Sequence, residues 1–193
     1  NISAMAGVLY NYVDSKSKTN SEIPYLNVHS YINDINVKES NPQAYLSFAK
    51  SFGKWTVMPA VRYQYVHRTI SSVSGTNTVA NQFKQHFSTL CPVITIKYRP
   101  NDNWFFQFNY RRNLTQPNFA QLNSGLVYQD SLLYSKGNTN LENETMDRYT
   151  LSSTWKDLTL SLRYTYRKNP LVSVLEQIDA TSNILSSYSM NMK

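Results

Sequence analysis

The chain has 193 residues, 13% of them aromatic and only 16% charged, with a formal net charge of +7. No stretch approaches the roughly 18 consecutive apolar residues of a membrane helix, so a helical membrane protein is excluded. The 19 basic residues are scattered rather than gathered into a run or a recognition helix, which argues against nucleic acid as a partner.

Taken in chain order, the pattern is one of strands and connections. A weak strand is expected near 2–13 and another near 43–51, separated by a long polar connection over about 14–42. A short turn over about 51–54 leads into a strand over 54–68. There Trp55, Val57, Pro59, Val61, Tyr63 and Tyr65 fall on one parity, and Thr56, Met58, Ala60, Arg62 and Gln64 on the other. A second long connection covers about 69–84. The strand over 87–98 alternates Leu90, Pro92, Ile94, Ile96 and Tyr98 with Thr89, Cys91, Val93, Thr95 and Lys97. Pro59 and Pro92 sit in strand interiors, where a missing N–H breaks a ladder bond, and each is read as a bulge or a strand break.

A short turn over about 99–102 precedes the strand over 103–112. Here Trp104, Phe106, Phe108 and Tyr110 oppose Gln107, Asn109 and Arg111. The longest connection, about 113–146, is followed by a weaker strand over 147–156 that carries Trp155. After a turn at 156–157 comes the clearest strand, 158–167. Leu158, Leu160, Leu162, Tyr164 and Tyr166 alternate there with Thr159, Ser161, Arg163, Thr165 and Arg167. Segment 171–178 extends a strand or begins a loop, and a weak strand falls near 184–192.

The fold class is therefore all-β: an antiparallel meander of about eight long amphipathic strands, with 1–193 as one barrel segment. Short turns alternate with long loops, as in outer-membrane barrels. Strands of about ten residues suit a tilted crossing of the hydrocarbon layer. Aromatic rings near strand ends suit the headgroup level. The lipid-facing and girdle set is Trp55, Tyr63, Tyr65, Ile94, Tyr98, Trp104, Phe106, Phe108, Tyr110, Trp155, Leu160, Leu162, Tyr164 and Tyr166. The lumen-facing set is Arg62, Gln64, Lys97, Gln107, Asn109, Arg111, Arg163 and Arg167. The alternative is a soluble β-sandwich or lipocalin-like binding module whose core holds the same rings.

Several strings resemble the barrel region of TonB-dependent-receptor-like outer-membrane proteins of Gram-negative bacteria. Trp55 to Tyr63 resembles that family's proline-aliphatic-arginine-tyrosine strand end. The stretch Asn109-Tyr110-Arg111-Arg112-Asn113-Leu114-Thr115-Gln116-Pro117 resembles a later one, with Gln116 where the family usually has Arg. A loop signature follows in Leu122-Asn123 and Gly137-Asn138-Thr139-Asn140-Leu141-Glu142-Asn143-Glu144, with Thr139 and Asn143 where the family has proline. The loop-motif set is Asn113, Pro117, Leu122, Asn123, Gly137, Asn138, Leu141 and Glu144.

The resemblance implies the bacterial outer membrane, a larger barrel of roughly 22 strands, a plug domain, and TonB reached through the parent protein. The first residues lack a signal peptide and the chain begins and ends within patterned sequence, so it is expected to be a piece of a longer protein. Isolated, it is expected to form an open sheet that self-associates through its edges. Partners are outer-membrane lipid, the rest of the barrel and the plug.

No catalytic residue, metal ligand or cofactor is assigned. His29, His67 and His86 lack metal-ligand spacing, lone Cys91 reads as a small buried thiol, and Glu142, Glu144 and Asp147 read as an ordinary solvated acidic loop, with a cation-binding segment as the alternative.

Overall fold

The computed structural model of the chain describes residues 2–23, 28–75, 79–123, 125–130, 132–178 and 183–192. Where apolar and polar residues alternate, successive side chains project to opposite sides of an extended backbone, and only pairing with neighbours satisfies the main chain. The result is a meander of β1 (Ile2–Ile23), β2 (Val28–Phe52), β3 (Trp55–Gly75), β4 (Val79–Asn101) and β5 (Trp104–Thr115), continued by β8 (Glu144–Trp155) and β9 (Leu158–Lys168). These seven strands form one antiparallel sheet in the order β1-β2-β3-β4-β5-β8-β9, which is open at β1 and β9.

Between β5 and β8 lie a single helical turn, α1 (Phe119–Leu122), and the short strands β6 (Leu126–Asp130) and β7 (Leu133–Lys136). With the hairpin of β10 (Leu171–Gln177) and β11 (Leu185–Asn191) they make a four-stranded sheet in the order β10-β11-β7-β6. Segment 171–178 is thus mostly strand, and the eight expected strands become seven in the wall and four beside it.

Two expected loops are corrected. Described residues within 14–42 and 69–84 are strand, because the β1–β2 ladder stays in register from Ile2↔Lys50 to Ser21↔Tyr31 and the β3–β4 ladder from Trp55↔Tyr98 to Ser74↔Val79. Residues 24–27 and 76–78 lie outside the described residues. The third connection, 113–146, carries α1, β6 and β7. Asn, Ser and Thr suggest turns when read locally, yet they hold extended backbone once a ladder on both sides satisfies every N–H and C=O.

The prolines are neither bulges nor breaks. Pro59↔Ile94 and Val61↔Pro92 are ordinary partners in an unshifted β3–β4 ladder. Their missing donors point the other way. The β2–β3 ladder has a gap between Ser47↔Ala60 and Lys50↔Val57, and β4–β5 pairing runs out at Val93↔Arg111, beside Pro92.

The turns at one end are tight. Gly53 takes φ +55° between the partners Phe52 and Trp55, the first position of a two-residue hairpin turn where positive φ suits the strand twist. Lys156, at φ 50°, does the same between Trp155 and Leu158. At the third turn the Asn101 Oδ1 accepts from the backbone N–H groups of Asn103 and Trp104, at 3.1 and 3.0 Å. The hydrophobic core sits at the opposite end, where Val37, Ile70, Leu122 and Leu141 are buried against Ile35, Phe83, Phe119 and Leu171.

Candidate functional site

Cross-strand partners share a face of the sheet, so the ladders sort the described wall side chains onto one of two surfaces. Trp55↔Tyr98↔Phe106, Pro59↔Ile94↔Tyr110↔Tyr149↔Tyr164 and Phe108↔Leu151↔Leu162 belong to one surface. All fourteen residues read as lipid-facing or girdle, from Trp55 to Tyr166, fall on it, joined by Ile2, Val8 and Phe48 from β1 and β2. Among the described residues nothing covers this surface: Leu160 is 74% exposed, Leu162 70% and Val8 86%.

Aromatic rings bound the apolar surface above and below. Near the short turns, Trp55 stacks on Tyr98 with centroids 4.2 Å apart, and Trp104 stacks on Phe106 and Trp155 at 5.4 and 5.9 Å. Toward the other end Tyr110 stacks on Tyr149 at 4.9 Å and Tyr149 meets Tyr164 in a tilted arrangement at 6.1 Å, with Tyr166, Tyr63, Tyr65, Tyr10 and Tyr12 continuing the upper line. From Trp55 to Tyr65 is about ten residues, roughly 33 Å of strand, which spans about 25 Å when tilted near 40°.

The upper line climbs across the sheet. Carried along the ladders to β3, Tyr166 on β9 is level with Val61, whereas Tyr12 on β1 is level with His67. That offset of about six residues, ~20 Å over a sheet width of ~29 Å, corresponds to strands tilted by about 35°. Strands β5, β8 and β9 end close to this line, while β1 to β4 run well beyond it.

The opposite surface is polar. All eight residues read as lumen-facing share it: Arg62↔Cys91, Gln64↔Thr89, Lys97↔Gln107, Arg111↔Arg148, Thr150↔Arg163 and Met146↔Arg167, with Asn109 beside Thr95. Asn109 Nδ2 donates to Thr95 Oγ1 at 2.7 Å. A groove of about 350 Å³ runs over β2 to β5, and Tyr45, Arg62, Cys91, Asn109 and Arg111 help line it. Two arginines sit directly opposite each other at 111 and 148, and Arg148 Nε is buried without a partner.

The loop-motif residues come together as a brace. The Gly137 N–H donates to the Asn123 carbonyl at 2.7 Å and the Asn138 N–H to that of Gln121 at 2.6 Å. A Cβ on Gly137 would collide with the Asn123 carbonyl oxygen, so only glycine permits this approach. Leu122 and Leu141 enter the core and Pro117 is buried. Asn138 Nδ2 reaches the Ser189 carbonyl at 3.2 Å, and its Oδ1 accepts from the Asn140 N–H at 3.0 Å. Glu144 accepts from Arg167 Nη1 and from the Leu171 N–H, each at 3.2 Å, tying the wall to β10. Asn113 stands apart from the brace, as the partner of Met146 on the wall.

The acidic segment does not converge. Asp147 is on the apolar surface, bound to Arg112 Nε and Nη2 at 2.8 and 3.0 Å and to the Tyr110 hydroxyl at 2.8 Å. Glu144 faces the other way, and Glu142 accepts from Asn169 Nδ2 at 2.6 Å. Unmarked by the sequence reading is the buried ion pair that holds the brace to the hairpins. Arg68 Nε and Nη2 lie 2.7 and 2.6 Å from Glu39 Oε2, and Nη2 donates to Gln116 Oε1 at 3.0 Å. Its guanidinium lies 5.3 Å above the Phe119 ring. An arginine at 116 would face the Arg68 guanidinium, which gives the departure at Gln116 a physical reason.

A tilted antiparallel wall, polar on one side and banded with exposed apolar residues on the other, is the architecture of an outer-membrane barrel. The chain belongs to the outer membrane protein β-barrel family, whose model matches residues 1–193, and its place is the bacterial outer membrane. No curated protein matches the chain. Among solved structures, a mutant of the ferric enterobactin receptor PfeA from Pseudomonas aeruginosa is similar at a TM-score of 0.46 and 14% identity. The match covers 97% of this chain and 36% of the receptor chain.

Proposed function

We propose that this chain is a wall segment of a larger, non-catalytic barrel that serves solute uptake across the outer membrane of a Gram-negative bacterium. Its apolar surface meets lipid, and its polar surface lines a lumen occupied by water, solute and a plug domain. Strands from the remainder of the barrel complete the edges at β1 and β9, and TonB energises the parent protein. The climb of the upper tyrosines carries the reading. A band about 25 Å tall whose boundary crosses the strands at about 35° matches a membrane plane cutting tilted strands. A second sheet packed over an apolar core has no need of that oblique boundary, and among the described residues nothing covers this surface. The strings around Pro59, Gln116 and Gly137 support the transporter-like class through their resemblance to TonB-dependent receptors.

Single cysteines placed from 159 to 166 in the whole protein, on a Cys91→Ser background, test the assignment of faces. A membrane-soluble maleimide is expected to label 160, 162 and 164, and a charged, water-soluble one 161, 163 and 165. Equal labelling of both sets by the water-soluble reagent refutes a lipid-facing wall. Uptake is tested separately, by solute accumulation in cells with and without the parent protein.

A further inference from the structure

Immediately beyond the upper tyrosine line, the outward surface changes from apolar to cationic. On β1 the tyrosines Tyr10 and Tyr12 are followed on the same parity by Asp14 and Lys16. The next rows across the sheet are Ser40↔His67↔His86 and Asp14↔Lys38↔Thr69↔Lys84. On β5, Arg112 follows Tyr110, and on β9, Lys168 follows Tyr166. Six of the seven wall strands thus place a basic side chain at or just past the line, as Lys16, Lys38, His67, Lys84, Arg112 and Lys168. Carried along the ladders to β3, Lys168 is level with Tyr63, Lys38 and Lys84 with Thr69, and Lys16 with Ser71. With His67 they form a belt just above the tyrosine line, whereas Arg112 is level with Val61, on the line itself.

Two carboxylates lie in or beside the belt. Asp147 is held by Arg112, and Asp14 is the cross-strand partner of Lys38. Lys16, Lys38, Lys84 and Lys168 are exposed. No ion pair to any of these four is formed among the described residues. Lys38 and Lys84 flank Thr69 from the two neighbouring strands, about 10 Å apart at their Cα atoms. That spacing allows two lysines to reach one doubly charged headgroup or two adjacent ones.

We propose that this belt binds the phosphate groups of an anionic, phosphorylated lipid in the leaflet that surrounds the long-hairpin end of the barrel. The occupant follows from position and charge. Tyrosine rings mark the depth at which acyl chains give way to headgroups, and the next layer outward on the same surface is where lipid phosphates lie. Ammonium groups on flexible stems suit such a layer, since they can leave the apolar band and reach upward. Each basic residue near an anionic membrane surface contributes about five-fold in affinity. The belt thus selects which lipid packs against the wall and fixes the height of the barrel in the bilayer. This inference rests on the reading that the apolar surface meets lipid.

The test uses the whole protein in phosphatidylcholine vesicles doped with bisphosphorylated lipid A, scored by lipid A retained after dilution into undoped vesicles. The triple variant Lys38→Gln, Lys84→Gln, Lys168→Gln is expected to weaken retention roughly a hundred-fold. Retention by the wild type is expected to fall with salt. Arg62→Gln with Arg163→Gln, on the polar surface, is expected to retain lipid A as the wild type does, and heat-modifiable gel migration checks that each variant is folded. Unchanged retention in the triple variant overturns the proposal, as does equal binding of the deacylated glycan bisphosphate, which points to a free anion site. If labelling alternates over 159–166 but the triple variant retains lipid A, the belt alone fails. If labelling does not alternate, the wall reading fails and the belt with it.

Discussion

Replacing Glu39 with Gln tests whether the Arg68 ion pair is what fastens the loop brace onto the long hairpins. Glu39 is 8% exposed and Arg68 2%, and both Arg68 contacts at 2.7 and 2.6 Å end on one carboxylate oxygen. Removing one partner of a buried pair leaves the other charge uncompensated, at a typical cost of 3–5 kcal/mol. Gln keeps an oxygen acceptor and Gln116 remains, so the lower end, about 3 kcal/mol, is expected. That corresponds to a roughly hundred-fold larger opening constant.

Hydrogen exchange of the whole protein in detergent reads this directly, since local opening is measured segment by segment. Peptides covering 33–41, 64–72 and 116–123 should exchange faster, while 104–110 and 158–166 should not change. The double variant Glu39→Leu, Arg68→Met should return to within about 1 kcal/mol of the parent, because apolar residues of similar size remove both charges at once. Arg68 Nη1 is already buried without a partner, which lowers the loss further. A shift below about 1 kcal/mol for Glu39→Gln, or equal acceleration in the wall, would refute the argument.

Gly137→Ala should loosen the brace by more than about 2 kcal/mol, since its methyl group meets the Asn123 carbonyl rather than a movable side chain; limited proteolysis between 123 and 143 checks this. Lys156→Gly should stabilise the wall by a few tenths to about 1 kcal/mol in urea unfolding, relieving φ 50° at the cost of a weak cation–π contact with Trp155 at 5.5 Å. Leu162→Arg, on the apolar surface, should cost about 2–4 kcal/mol for folding into lipid vesicles, whereas Ser161→Arg on the polar surface should cost under about 1 kcal/mol. Gln116→Arg should accelerate exchange in 64–72 by placing two guanidinium groups together, and Glu39→Gln should add little to it.

The wall was legible where alternation was strict. Leu158 to Tyr166 and Trp104 to Tyr110 show it because one surface holds apolar side chains almost without exception, so period-2 reading sets both the strand and its faces. The upper halves of β1 to β4 were not legible. Their inward surface mixes Asn33, Ile35, Val37, Glu39 and Asn41 on β2, and Val66, Arg68, Ile70 and Ser72 on β3. Buried polar residues on that face erase the contrast with Lys38 or Ser40 on the other, and a satisfied ion pair is invisible to a local pattern. The prolines misled for a related reason. Their cost depends on whether a neighbour is present to accept an N–H, which is set by ladders and not by adjacent residues.

The loop motif then acquires a mechanical meaning. Strands β1 to β4 leave the tyrosine line and continue as two tall hairpins, and β4 loses its β5 neighbour beyond Val93. Hairpins of that length need an apolar interior to remain extended in water. The chain supplies one by folding 116–143 across their inner surface, where Leu122 and Leu141 meet Val37 and Ile70. Gln85 Nε2 reaches the Thr139 and Leu141 carbonyls, each at 3.4 Å, beside the part of β4 that lacks a strand neighbour. A residue such as Gly137 therefore acts on the hairpins and not on a ligand. Its substitution should raise exchange at Val37 and Ile70 before it alters anything on the wall.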